Sequence, residues 1–143
     1  MAIHSGMKIF IVDDDIFCLT LYNQFLRNLG YTNVTSFTGG EECLDHMNAD
    51  PGLIFLDYNM DGLNGVEVLK KIKQVNDTVV VNIITGKEDE EVAKEAFKQG
   101  ASDYIVKSSL SPDRMKAVMA KVEEAYVEKS KDSKKSFFGK WLG

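Results

Sequence analysis

Leu53-Ile54-Phe55-Leu56-Asp57 is the stretch on which the reading of the fold turns. Four large apolar residues in a row, bounded by Pro51-Gly52 and by Asp61-Gly62, read as a short strand buried on both faces. A charged residue ends the run with nothing local to pair with it. Carboxylates at the carboxyl ends of buried parallel strands lie where open α/β sheets bind their ligands. The plainer alternative is that Asp57 only terminates the strand and caps the next segment of chain.

A second run, Met7-Lys8-Ile9-Phe10-Ile11-Val12-Asp13-Asp14-Asp15, repeats the pattern and ends three acids deep. Side by side in one sheet, the two strands bring Asp13, Asp14 and Asp57 to one edge. Like charges that close raise one another's pKa unless a cation resolves the conflict. A few oxygen ligands partly open to water suit Mg²⁺ better than zinc.

Composition sets the outer bounds. A chain of 143 residues fits one domain with a single sizeable core. With 44% hydrophobic and 27% charged residues it matches an ordinary globular domain, which disfavours disorder. No apolar stretch approaches the roughly 20 residues of a spanning helix. Met1 to Gly6 lacks the basic-then-apolar pattern of a secretory signal, so a cytoplasmic location is expected. Cys18 and Cys43 fall inside apolar helical patterns and read as reduced core residues. A formal charge of −5 argues against a nucleic-acid-binding surface over the whole domain.

The chain alternates strand and helix. Asp15 is an expected N-cap for a helix with Cys18, Leu21, Tyr22, Phe25 and Leu29 on one face, stopped at Gly30. Val34 to Phe37 form a second strand, and a helix begins near Glu41 with Cys43, Leu44 and Met47 inward. After the central strand, the loop Tyr58 to Asn64 is long enough to wall a site. Gly65 opens a helix carrying Val66, Leu69, Ile72 and Val75. Val79 to Ile84 form the fourth strand, ending in Thr85-Gly86. A charged helix from Glu88 to Gln99 carries a narrow stripe of Val92, Ala96 and Phe97, and Gly100 ends it. Asp103 to Val106 form the fifth strand, ending in Lys107. Ser111-Pro112 supplies an N-cap and a first-turn proline for a last helix with Met115, Val118, Met119, Val122 and Tyr126 inward.

Five strands alternating with five helices imply a doubly wound parallel sheet covered on both faces, with right-handed crossovers. Asp13, Asp14, Asp57, Thr85 and Lys107 all come just after strand ends and therefore converge. Singly, Thr85 reads as a capping residue and Lys107 as a solvated charge; jointly, four strand ends carry chemically complementary groups. The chemistry they suit is acyl phosphate formation. A carboxylate serves as nucleophile toward phosphorus, and the transferring group needs cations and donors around its equatorial oxygens. Mg²⁺ would be held by Asp14, Asp57 and a loop carbonyl, with the Lys107 charge and the Thr85 hydroxyl on the phosphoryl group.

The series strand–Asp-Asp, strand–Asp, strand–Thr and strand–Lys, at these spacings, resembles the receiver domain of two-component response regulators over about Met7 to Val127. The resemblance implies a flavodoxin-like fold with strand order 2-1-3-4-5. It implies Asp57 as phosphoacceptor, Asp14 as direct metal ligand, Asp13 helping through water, and the main-chain carbonyl of Asn59 as the third protein ligand. It implies that Thr85 and Lys107 contact the phosphoryl group, and that Tyr104 is an aromatic switch that turns inward when Thr85 is drawn toward that group. The partners implied are a sensor histidine kinase or histidine phosphotransfer protein upstream and a downstream protein target. The only catalysis implied is the domain's own phosphoryl transfer and dephosphorylation.

The sequence departs from the family at two loops. Asp57 to Gly65 is similar to D-x-x-M-P-x-M-D-G, but Asp61 replaces the usual proline and is expected to loosen this wall. Ser108 succeeds Lys107 where most members have proline, whose preceding bond is commonly cis. Before serine a cis bond costs roughly 2.5–4 kcal/mol, so either the site enforces it or the loop is built differently. Asn59 and Lys87 occupy variable positions that tune dephosphorylation in the family, and Lys87 is expected to shape phosphoryl lifetime.

The domain reading is an N-terminal arm at 1–6, a receiver domain at 7–128 and a basic, aromatic tail at 129–143. That tail holds five lysines against one Asp, then Phe137, Phe138, Trp141 and Leu142. No helix-turn-helix or enzyme module fits in it, so a single-domain regulator without a DNA-binding module is expected. It reads either as a frayed end or as a docking segment, for a partner or for an acidic face of a second copy in a homodimer. A membrane-surface contact is the weaker reading.

Other classes share parts of this pattern. A haloacid-dehalogenase-type phosphatase uses a strand-end Asp with Mg²⁺ but needs a second Asp where this chain has Asn59. A flavodoxin shares the fold, but Asp13 to Asp15 would repel its phosphate. A degenerate receiver acting as a constitutive binding module would not need the complete site.

Overall fold

The structure, a computed structural model, describes residues 4–142, with side chains described through residue 127. Five strands form one parallel sheet: β1 (Ile9–Val12), β2 (Val34–Phe37), β3 (Leu53–Asp57), β4 (Val80–Thr85) and β5 (Asp103–Val106), in the order β2-β1-β3-β4-β5. The helices between and after them are α1 (Ile16–Asn28), α2 (Gly40–Asp45), α3 (Gly65–Val75), α4 (Glu90–Lys98) and α5 (Pro112–Leu142). This is the doubly wound, flavodoxin-like order expected from the sequence.

Because strand side chains alternate, the sheet has two buried faces. Ile9, Ile11, Leu53 and Phe55 point toward α1 and α5, where they meet Leu19, Leu26, Met115 and Val118. Phe10, Val12, Ile54 and Leu56 point the other way, against Cys43, Val68, Leu69 and Ile72. Both β1 and β3 are buried at every position, which is why their sequences show no polar alternation.

Local signals explain the element ends. Asp15 caps α1 by accepting from Phe17 N, and Asn64 with Glu67 forms a reciprocal capping box on α3. Ser111 Oγ accepts from Arg114 N beside the first-turn proline of α5. Gly65 is required where α3 meets the sheet: a Cβ there would lie 2.8 Å from the Asp57 carbonyl oxygen.

Several expectations need correction. The α4 helix begins at Glu90, because Asp89 Oδ1 turns back to accept from Glu91 N and Val92 N. Val75 is exposed and Val68 is buried in its place. The series 66, 69, 72, 75 steps by three, and each step falls about 60° short of a full turn, so its last member lies on the far side of the helix. Phe97, next to the buried Ala96, is likewise half exposed. On α1 the buried line runs through Leu19, Tyr22 and Leu26, with Cys18, Leu21, Phe25 and Leu29 flanking it. Lys107–Ser109 is a 3₁₀ turn, and no cis peptide bond occurs among the described residues.

The α5 helix continues through the expected tail junction to Leu142; the side chains of the lysine- and aromatic-rich segment lie outside the described residues, as does Met1 to Ile3 of the arm. Among the described residues no helix is long and apolar enough to cross a membrane.

Candidate functional site

The sheet register assembles the site. Val12 pairs with Leu56 and Asp57 with Ile84, so the residues after Val12 and Ile84 flank the Asp57 carboxylate. Thr85 in turn pairs with Val106, which puts Lys107 just beyond it. Asp13, Asp14 and Asp57 each offer a carboxylate oxygen within 4.8 Å of the others. Asp13 and Asp57 are almost fully buried and Asp14 is exposed, giving a cluster with one open side.

Lys107 reaches into it. Its Nζ lies 2.9 Å from Asp13 Oδ2 and 3.5 Å from Asp57 Oδ2. The ammonium thus bridges the two carboxylates, and among the described residues neither Oδ2 has a partner besides it. The second oxygens are held by the backbone: Asp15 N donates to Asp13 Oδ1 at 2.9 Å, and Asn59 N donates to Asp57 Oδ1 at 3.4 Å. Two buried carboxylates sharing one lysine thus keep unspent acceptor capacity facing each other. That donor set, all oxygen and open on the Asp14 side, fits a hard divalent cation.

Burial, reinforced by Asp13, pushes the Asp57 carboxyl up to about 7, against the opposing pull of Lys107 and the Asn59 N–H. For Lys107, burial alone would favour the neutral amine, but the Asp13 and Asp57 carboxylates outweigh it and hold the ammonium above its ordinary value. Cys18 Sγ sits 3.9 Å from Lys107 Nζ, a neighbour the sequence reading did not connect with the site, and burial pushes its thiol up.

Thr85 is buried, and its hydroxyl donates to the Lys87 carbonyl at 3.1 Å. Tyr104, half-buried on β5, donates its hydroxyl to the same carbonyl at 3.4 Å and accepts from Asp89 N at 3.3 Å. Asn59 is exposed in the β3–α3 loop, tied to Asp57 by its N–H. The structure therefore brings Asp13, Asp14, Asp57 and Lys107 into direct proximity, sets Thr85 on the same strand edge, and links Tyr104 to Thr85 through a shared acceptor.

A parallel α/β sheet with an acidic cluster, a strand-end threonine and a strand-end lysine defines a class of signalling domain. The family model of the response regulator receiver domain matches residues 9–120, and the chain belongs to that family. It is 35% identical over 119 residues to the transcriptional regulatory protein ZraR of Escherichia coli (strain K12), a match covering 82% of this chain and 26% of that protein. The chain thus spans about a quarter of the length of that relative. It is 26% identical over 120 residues to the chemotaxis protein CheY of Thermotoga maritima, covering 83% of this chain and 99% of that one. The crystal structure of a CheY-like response regulator receiver domain protein from Methanospirillum hungatei JF-1 superposes with a TM-score of 0.78 at 27% identity, covering 87% of this chain and 99% of that chain. Receiver domains are signalling modules that bind Mg²⁺ at such an acidic pocket.

Proposed function

We propose that the chain is a phosphoacceptor: a histidine kinase or phosphotransfer protein phosphorylates Asp57, and the modification switches a protein-binding surface. The observation that carries this reading is the Asp57 carboxylate itself, 2% exposed, grouped with Asp13 and Asp14 and with one oxygen 3.5 Å from the Lys107 ammonium.

Asp13, Asp14, Asp57 and the main-chain carbonyl of Asn59 are the groups that would hold Mg²⁺. When bound, the ion supplies positive charge that favours ionised Asp57 and offsets charge on the incoming phosphoryl oxygens. An Asp57 carboxylate oxygen attacks phosphorus, forming the P–O bond of an acyl phosphate. The P–N bond of the phosphohistidine donor breaks, and its electron pair returns to the imidazole. Lys107, fixed by Asp13, places its ammonium where phosphoryl charge arrives. Thr85 offers its hydroxyl once it releases the Lys87 carbonyl. Tyr104 then holds that carbonyl alone, so the β4–α4 loop shifts between two bonding arrangements. The surface altered comprises α4, β5 and the first part of α5.

The test is incubation with acetyl phosphate and Mg²⁺ followed by intact mass of the wild type and Asp57→Asn. Wild type should gain one phosphoryl group and the variant none. Equal gain in both would reject Asp57 as the acceptor, and hydrolysis of added phosphomonoesters with turnover would favour a phosphatase.

A further inference from the structure

The α1 surface and the C-terminal segment each carry a feature that phosphoryl transfer to Asp57 leaves unused. Among the described residues the two most exposed large hydrophobics, Ile16 at 70% and Phe17 at 73%, are neighbours at the start of α1. Single apolar residues are ordinary on a protein surface, whereas an adjacent pair is a candidate contact. Asp14 and Asp15, both exposed, directly precede it. From Asp13 to Asn28 the only charged residues are Asp13, Asp14, Asp15 and, at the far end of α1, Arg27. The start of α1 is therefore an apolar pair flanked by acid.

The segment 129–143 has the opposite charge and a matching apolar content. Its five lysines against one aspartate give +4, which out of −5 for the whole chain leaves −9 on residues 1–128. Phe137, Phe138, Trp141 and Leu142 make two i, i+4 pairs in sequence, with Lys134, Lys135 and Lys140 beside them. The α5 backbone is helical from Pro112 to Leu142, and its 31 residues carry the tip about 45 Å from the start. The α1 and α5 helices start at the same end of the domain, since Cys18 Sγ lies 3.9 Å from Lys107 Nζ and Leu19 shares a core with Met115. A tip so far from that end does not reach its own α1. Two copies with their α5 helices antiparallel put each tip beside the start of the other's α1.

We infer that the chain forms a reciprocal homodimer in which the basic, aromatic tip of α5 from each copy covers Ile16 and Phe17 of the other. The apolar positions of 137–142 meet the α1 pair, and Lys134, Lys135 and Lys140 face Asp14 and Asp15. Each copy offers one tip and one patch, so the two contacts are identical and the assembly closes at two. An anionic lipid surface would also attract the lysines, but it would leave Ile16 and Phe17 bare and would repel the acidic body. A second copy answers both features at once, and it does so without phosphorylation of Asp57.

The experiment is sedimentation velocity of the full chain across the micromolar range, in EDTA and without a phosphodonor, read together with the emission of Trp141, the one tryptophan. Wild type should pass from monomer to dimer as concentration rises, with Trp141 emission moving to the blue, and added salt should weaken the association. Ile16→Gln with Phe17→Gln, and separately Phe137→Ser with Trp141→Ser, should each weaken it by at least about tenfold. An equimolar mixture of these two variants keeps one intact tip-to-patch contact per pair. It should associate more tightly than either variant alone, a rescue that misfolding does not produce. A chain that stays monomeric throughout, a dimer that the α1 variant leaves unchanged, or a mixture no tighter than its components would overturn the proposal. A monomeric chain that cosediments with phosphatidylcholine–phosphatidylserine vesicles would overturn it too, and would assign the tip to a membrane. Acetyl phosphate should still phosphorylate Asp57 in both variants, which separates failure of this interface from failure of the phosphoacceptor reading.

Discussion

Thr85 and Tyr104 share one acceptor: the Lys87 carbonyl takes the threonine hydroxyl at 3.1 Å and the tyrosine hydroxyl at 3.4 Å. The two donors come from adjacent strands, and the carbonyl belongs to the loop that leads into α4. Any pull on Thr85 toward the acidic cluster is therefore felt at Tyr104 through a single oxygen atom. Asp89, which caps α4, is tied to the same tyrosine by its N–H.

Tyr104→Phe removes both contacts. Each is exposed and long, so the cost in global stability should stay below about 1 kcal/mol. Locally the effect should be larger, because the cap residue loses its anchor. Native-state hydrogen exchange at Glu91 and Val92 should speed up severalfold, and exchange rates identical to wild type would dismiss the coupling between β5 and the α4 start.

Asp57 makes the metal-free protein sensitive to pH. Its folded-state carboxyl titrates at about 7 against an ordinary value of 3.8, burial being the first cause and Asp13 the second. Between those values the folded chain holds a proton that the unfolded chain has released, so stability falls as pH rises from about 4 to about 7. Asp57→Asn should remove that dependence and raise metal-free stability at pH 8 by more than about 1 kcal/mol. Urea midpoints in EDTA at pH 5 and pH 8 measure it, and Mg²⁺ should flatten the wild-type slope by favouring the ionised form.

Lys107→Met tests the same charges from the other side. Losing the ammonium leaves Asp13 and Asp57 facing each other without compensation, and breaking such a buried pair is strongly destabilising. Since Lys107 is a quarter exposed, the metal-free loss should be moderate, about 1–3 kcal/mol. Saturating Mg²⁺ should recover most of it. A deficit that Mg²⁺ leaves unchanged would mean that the lysine acts through packing instead.

Much of the fold and site was legible in the sequence because it lives in short-range pattern. Unbroken apolar runs ending in Asp, Thr or Lys mark buried parallel strands whose tips converge, and the order 2-1-3-4-5 comes from the family resemblance those tips carry. Helix facing was less legible. A strict three-residue spacing carried the reading from Ile72 to Val75, although the helix had by then turned that position to solvent. Other features depend on distant partners. Glu123 is met by Tyr31 and His4 from 92 and 119 residues away, and no local signal predicts such a meeting. Asn82 leaves a local trace, a lone amide inside an aliphatic strand, but its near-complete burial depends on α5 far along the chain. At Ser108 the family's proline is absent, and the chain forms a 3₁₀ turn.

The Glu123 cluster makes its own prediction. The Tyr31 hydroxyl donates to Glu123 Oε1 at 2.6 Å, and His4 adds its main-chain N–H and ring Nδ1. Burial pushes Glu123 up, but these hydrogen bonds from His4 and Tyr31 outweigh it and hold the carboxyl below its ordinary value. Stability from this source is present above the unfolded carboxyl's pKa near 4.5 and fades as pH falls through the lower folded value. Tyr31→Phe should cost about 1.5–3 kcal/mol at neutral pH, the range for hydrogen bonds to charged groups, and distinctly less at pH 3. Thermal unfolding at the two pH values checks both size and sign.

On the proposed phosphoacceptor reading, Lys87 is expected to act on the lifetime of the phosphorylated state. Its N–H donates to Thr85 Oγ1 and its carbonyl accepts from it, so the backbone at this position is pinned to Thr85 while the side chain is exposed. Hydrolysis of an acyl phosphate needs water to approach phosphorus opposite the bond to Asp57. We expect the exposed Lys87 side chain, two residues after Thr85, to obstruct that approach and to add positive charge near the phosphoryl group. Lys87→Ala keeps both backbone contacts and removes the obstruction. Decay of the phosphorylated protein should accelerate roughly threefold, which is below about 1 kcal/mol in the barrier, with phosphorylation by acetyl phosphate still reaching Asp57. Time-resolved intact mass after removal of the phosphodonor gives the rate. A rate equal to wild type would show that the Lys87 side chain has no part in phosphoryl lifetime and that any control at this position runs through its backbone.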